Sequence, residues 1–175
     1  AQGRLVHFNC HNLSKIAWAF ATARVEATDL FNGIAKAGSS RLDEFTLMEL
    51  ANTAWAFAKV RVEANFLFHA IADARSLESN GLCFRALSML AWSFATARVH
   101  RADVFTAIAR SVQQQIADCD PQSLGTIAWA FTTARQGTTE LFDDIADAAS
   151  PKVAESSPQT ISDIAWSFGK LAQQT

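Results

Sequence analysis

The residues of this chain best placed to do chemistry are its five tryptophans. Trp18, Trp55, Trp92, Trp129 and Trp166 follow one another at a constant interval of 37 residues. An aromatic ring presented once per unit can stack on a nucleic-acid base, a contact worth roughly 1 to 3 kcal/mol. It can equally fold over small residues of a neighbouring helix, and both uses are open at this level. Arg24, Arg61, Arg98 and Arg135 each stand six residues after a Trp. They can touch phosphates, or settle the free carbonyls and dipole at a helix C-terminus, with Glu26 and Glu63 available as ionic partners. Reaction chemistry is scarce by comparison. His7, Cys10 and His11 share one helical turn but make a weak metal set. The seven glycines are scattered and form no phosphate-cradling loop. Glu49 and Asp163 are too isolated for a general acid and base. The expectation is a non-enzyme with no metal, no cofactor and no small-molecule substrate.

The elements that carry these residues repeat with them. Each Trp sits in one phrase: IAWAFATAR, TAWAFAKVR, LAWSFATAR, IAWAFTTAR and IAWSFGKLA. Leu13, Leu50, Leu87, Leu124 and Ile161 precede the Trp, and Phe20, Phe57, Phe94, Phe131 and Phe168 follow it, at helical spacing. A second apolar set, such as Leu30, Phe31 and Ile34 or Leu141, Phe142 and Ile145, marks a second helix. N-cap residues Asn9, Thr46, Asp120 and Ser157 open the first helix of their units. Thr46 with Glu49 forms a capping box, and Pro121 and Pro158 fit the first helical position. Cys83 is the weak cap, where fraying is expected first. Phe8, Phe45, Leu82 and Cys119 are placed to staple onto the Leu of their units. Helix A then ends about six residues past the Trp, and helix B starts near Thr28, Asn65, Ala102 and Thr139. A period between 20 and 50 residues predicts stacked repeats, because one pair cannot bury its apolar face alone. The predicted fold is all-α, a right-handed α-solenoid of about five 37-residue helix-turn-helix repeats. The units run roughly 9–45, 46–82, 83–119, 120–156 and a partial 157–175, with 1–8 ending a preceding unit.

Positions that the shared core leaves free are the candidate binding surface. Opposite the Leu and Phe side of helix A stands a polar ridge that changes from unit to unit. It comprises His11, Lys15 and Thr22; Met48, Asn52 and Lys59; Arg85, Met89 and Thr96; Gln122, Thr126 and Thr133; and Gln159, Asp163 and Lys170. Small residues flank it, Ser14, Ala51, Ser88, Gly125 and Ser162 on one side and Ala19, Ala56, Ser93, Ala130 and Ser167 on the other. They let A helices pack closely into an inner wall, which makes the ridge the lining of a concave groove. An ordinary solvated helix face also looks like this, and that reading stays open.

Composition narrows the partners. Half the chain is apolar and 18% is charged, with a formal net charge of -2, so neither disorder nor a polybasic tail is predicted. That balance hides an asymmetry. The five helix A stretches hold eight bases against two acids, whereas the remainder is acidic. Such a basic layer attracts a polyanion to one face, and single-stranded RNA is the candidate that helical repeats can read base by base. No apolar run approaches the roughly 18 residues of a membrane span, and the opening AQGRLVHFNC lacks a signal peptide's features. A soluble chain without membrane insertion is expected. Three distant cysteines without a CxxC point to a reducing compartment.

The phrase LANTAWAFAKV, its variants IAWAFATAR and LAWSFATAR, and the second-helix pattern LFxxIA resemble the octotricopeptide repeat family and the related heptatricopeptide repeats over essentially the whole chain. The resemblance implies an α-solenoid that binds organellar RNA in its processing, stability or translation, in a mitochondrial matrix or chloroplast stroma. By analogy with base-per-repeat readers, Lys15, Asn52, Met89, Thr126 and Asp163 are the expected base-edge column. Met89 offers only an apolar contact, and Asp163 repels phosphate. His11, Lys59, Arg85, Gln122, Gln159 and Lys170 complete the predicted RNA-binding ridge. Four to five units read about as many nucleotides, so the chain is expected to be a section of a longer array. The rival expectation is a protein-binding scaffold or peripheral subunit of an organellar assembly such as a ribosome, working through the groove or its uncapped ends. What separates the two is whether the basic layer meets the groove or is neutralised by helix B carboxylates.

Overall fold

A computed structural model describes residues 5, 7–74 and 83–173. Among the described residues the chain is all-helical, with nine α-helices and no strand. The A helices are α1 (Cys10–Thr22), α3 (Leu47–Val60), α5 (Phe84–Ala97), α7 (Pro121–Ala134) and α9 (Pro158–Leu171). The B helices are α2 (Thr28–Gly38), α4 (Asn65–Ala72), α6 (Ala102–Gln113) and α8 (Thr139–Ala149). Every B helix begins at its predicted residue.

Local chemistry explains the starts of the A helices. Asn9 accepts the Asn12 N–H at 2.8 Å, Asp120 that of Ser123 at 2.9 Å, and Ser157 that of Thr160 at 3.1 Å. Thr46 and Glu49 close the capping box in both directions, at 2.9 and 3.3 Å. Cys83 makes no side-chain cap bond, as its thiol chemistry implies. Pro121 and Pro158 occupy the first turn. Among the expected staples Phe45 and Cys119 are buried and Phe8 is half-buried. Leu82 lies outside the described residues.

Packing follows the register of the period. Each A helix lies against the next A helix in chain order, from α1 to α9. Leu13, Leu50, Leu87 and Leu124 are fully buried on their inner side. A phenylalanine of each B helix meets the helix A phenylalanine of the following unit edge to face. Phe31 and Phe57 stand 5.0 Å apart between centroids, Phe68 and Phe94 5.2 Å, Phe105 and Phe131 5.0 Å, and Phe142 and Phe168 5.2 Å. Such pairs add about 0.5 to 1.5 kcal/mol each beyond their burial, and they tie unit to unit. Small residues allow the close A-to-A approach. Ser14 donates its hydroxyl to Glu49 O across the α1–α3 contact at 3.2 Å, and a Cβ on Gly125 would stand 3.2 Å from Thr160 Cγ2.

The segments after the B helices, where turn residues obscure any periodicity, contain 3-10 turns at Leu42–Glu44, Ile116–Asp118 and Ser150–Glu155. Two equivalent bases latch these turns onto the preceding unit. Arg41 Nη1 donates to Phe8 O at 3.0 Å, and Lys152 Nζ donates to Cys119 O at 2.7 Å. No helix among the described residues is long and apolar enough to cross a membrane.

Candidate functional site

The helix A face that carries the variable ridge also carries the tryptophans. Trp18, Trp55, Trp92, Arg85, Met89, Gln122 and Thr126 line one groove of about 610 Å³. Trp92, Trp129, Thr126, Gln159 and Asp163 line a second of about 260 Å³, and the shared Trp92 and Thr126 make the two neighbours. The rings of Trp55 and Trp92 are 6.5 Å apart at 35°, and those of Trp92 and Trp129 are 6.5 Å apart at 29°. The central rings pack on one another and at the same time wall the groove. The outer two are more open, Trp18 at 43% and Trp166 at 46% exposure. Lys59 Nζ lies 5.9 Å from the Trp55 ring centroid, within cation–π range.

The predicted ridge divides into groups. Arg85, Met89, Gln122, Thr126, Gln159 and Asp163 meet in the two grooves, and Lys59 borders a third cavity at the helix C-termini. His11, Lys15, Asn52 and Lys170 lie outside these linings. His11 faces the capping-box carboxylate instead, its Nδ1 3.0 Å from Glu49 Oε1. Burial pushes the Glu49 carboxyl up, but the Thr46 N–H, the Thr46 side chain and His11 together hold it below the usual carboxylate range. Gln159 Nε2 donates to Asp163 Oδ1 at 2.8 Å, and the Thr126 hydroxyl donates to Gln122 O at 2.9 Å. Asn52, Met89, Thr126 and Asp163 are half-buried, whereas Lys15, Lys59, Arg85 and Lys170 are exposed. Cys10, one of the three potential metal ligands in the first unit, is buried and donates its thiol toward Glu44 Oε2 at 3.7 Å.

Ion pairs among the described residues lie away from the grooves. Arg41 pairs with Glu44 at 2.6 Å, and Arg101 with Asp73 and Asp103 at 2.7 and 2.6 Å. Arg85 on the groove wall and Lys59 on the third cavity are exposed and make no ion pair with any described residue. Asp120 and Asp163 are the acids on the groove walls.

The helix A ends hold features that the apolar pattern conceals. Arg24, Arg61, Arg98 and Arg135 have φ of 54 to 57°, and they are the only non-glycine residues with positive φ among those described. Each forms a Schellman turn. The N–H of Val62 bonds Phe57 O at 3.3 Å and that of Arg61 bonds Ala58 O at 3.3 Å, and the other three units repeat the pair. A left-handed L-residue costs roughly 1 to 2 kcal/mol. Glycine or asparagine is the usual sequence signal for such a turn, and neither stands here. Nearby, the Thr96 hydroxyl is buried without a hydrogen-bond partner among the described residues. Glu26 and Glu63 form no ion pair with the arginines.

Residues 1–173 match a family model described as RNA-editing substrate-binding complex 6 protein. No curated protein matches the chain. The family match overturns the resemblance to octotricopeptide and heptatricopeptide repeats. The phrase that carried it serves packing: Phe57, Phe94 and Phe131 are buried, and Trp92 packs on Trp55 and Trp129. The organellar setting rested on that resemblance alone. By its match over nearly the whole length, the chain belongs to the RNA-editing substrate-binding complex 6 protein (RESC6) family.

Proposed function

We propose that the stacked pairs form a right-handed α-solenoid of about five repeats whose groove binds single-stranded RNA within an RNA-editing complex. One observation carries the reading: Arg85 in the first groove and Lys59 over the Trp55 ring, neither with an ionic partner among the described residues, stand beside adjoining grooves walled by tryptophan rings. Aromatic faces with nearby cations suit single-stranded nucleic acid, since every base has a face to stack and every nucleotide a phosphate. The family's name, which speaks of an RNA-editing substrate-binding complex, agrees with this chemistry. Sequence selectivity falls to Met89, Thr126 and Asp163, which differ between units, with Gln122 and Gln159 beside them on the groove walls. The role is binding, not catalysis.

A second reading is that the chain is a protein-binding subunit of that complex. It is favoured by the family's description, which names a complex. The two readings separate in a titration of labelled single-stranded RNA across a salt series, with Lys15, Lys59, Arg85 and Lys170 changed together to Ala. Salt-sensitive binding that collapses in the variant supports the groove. Binding that is absent at low salt, or indifferent to the four changes, supports the protein-binding subunit.

A further inference from the structure

We infer that Arg24, Arg61, Arg98 and Arg135 form a column of phosphate contacts, one guanidinium per repeat, along the edge where the A helices end. The inference rests on the RNA reading above and adds to it the residues that hold the backbone.

The turn itself does not need these side chains. Its hydrogen bonds are all between backbone atoms, and a residue without a Cβ adopts its left-handed conformation with less strain. Arginine nevertheless stands at all four positions, each at φ 54 to 57°. Attraction between a cation and the helix C-terminus is a weak reason for this, because a base inside the last turn, as Lys59 is in α3, supplies it without left-handed strain. All four residues are exposed, and none of their side chains makes an ion pair with a described residue.

The first three are contiguous, and Arg135 repeats their turn one unit further on. Arg24 and Arg61 wall one cavity of about 720 Å³, and Arg61 and Arg98 wall the next, of about 390 Å³. Within the first, Arg24, Lys59 and Arg61 face the single acid Glu26; within the second, Arg61 and Arg98 face Glu63. Both cavities are therefore net basic. Trp92 belongs to the first cavity and also to both grooves, so a strand whose bases meet the tryptophans has its backbone within reach of this edge. Guanidinium forks match phosphate oxygens bidentately.

The test uses the full chain and a fluorescein-labelled 20-nucleotide oligouridylate, read by anisotropy across a potassium chloride series. Two variants are compared with the wild type, one with Gly and one with Lys at all four positions. The Gly variant is expected to melt no lower than the wild type and to bind at least tenfold more weakly at low salt. Its slope of log affinity against log salt should be shallower by about 0.7 for each phosphate left without its guanidinium. The Lys variant, which keeps the charge, should retain most of the slope. A Gly variant that binds like the wild type overturns the column and leaves the groove standing. A Gly variant that melts lower also overturns it, because the guanidinium then supports the fold. A wild type that ignores the RNA overturns both this inference and the RNA reading. Equal affinity for a 20-residue polyglutamate overturns it too, in favour of a general acidic partner.

Discussion

Replacing one tryptophan at a time should give a graded decline in stability, because the rings have two, one or no ring neighbours. Trp92 packs between Trp55 and Trp129, each of those has a single tryptophan neighbour, and Trp18 and Trp166 have none among the described residues. Fully burying an aromatic side chain is worth about 3 to 5 kcal/mol on truncation to Ala, so truncating a half-buried ring costs about 2 kcal/mol. Each ring pair adds about 1 kcal/mol. Trp92→Ala should thus cost about 4 kcal/mol, Trp55→Ala and Trp129→Ala about 3 kcal/mol, and Trp18→Ala about 2 kcal/mol. Urea unfolding followed by far-ultraviolet circular dichroism measures this without relying on the deleted fluorophore. A gap of about 2 kcal/mol between Trp92→Ala and Trp18→Ala moves the midpoint by roughly 1 M at a slope of about 2 kcal/mol per M. Equal midpoints across the series would refute the ladder and leave the rings as independent contacts.

Four further outcomes are expected. Thr96→Val removes a buried hydroxyl without a partner and should stabilise the chain by about 1 kcal/mol in the same urea assay. Arg101→Ala breaks the link between the α6 N-terminus and the Asp73 carboxylate, at a cost of about 1 kcal/mol that shrinks in high salt. Glu49 is held below its unfolded value, so its contribution is full above about pH 4.3 and disappears as pH falls through the lower folded value. Glu49→Gln should flatten that acid limb of the stability profile. Burial pushes the Cys119 thiol up to about 12, burial likewise raises Cys10, and Cys83 is exposed. At about pH 8, below the ordinary thiol value, mass spectrometry should find iodoacetamide on Cys83 first, and rapid labelling of Cys119 would contradict its burial.

The helices were legible because their signals are local. Caps at Asn9, Thr46, Asp120 and Ser157 act within one turn, and the Leu and Phe spacing fixes which side is buried whatever the neighbours do. The ring ladder was legible only as a choice, since a helical wheel places Trp92 beside the ridge but holds no distance between helices. The left-handed arginines were hidden because their residue type disfavours the conformation they adopt. His11 could be placed on the ridge, but its attachment to Glu49, 38 positions away, depends on how α1 meets α3. Family membership was hidden for a related reason. The Trp and Phe phrase reports a packing demand between neighbouring A helices, which does not by itself name a family.

Intrinsic fluorescence tests the central claim most directly. The chain has five Trp and no Tyr, and four of the five wall the groove, so its emission reports that surface almost alone. Adding unlabelled single-stranded oligouridylate to the wild type at low salt should quench the emission saturably, and potassium chloride should reverse the quenching. RNA that binds by filter retention while leaving the tryptophan emission unchanged would place the interface elsewhere and contradict the account.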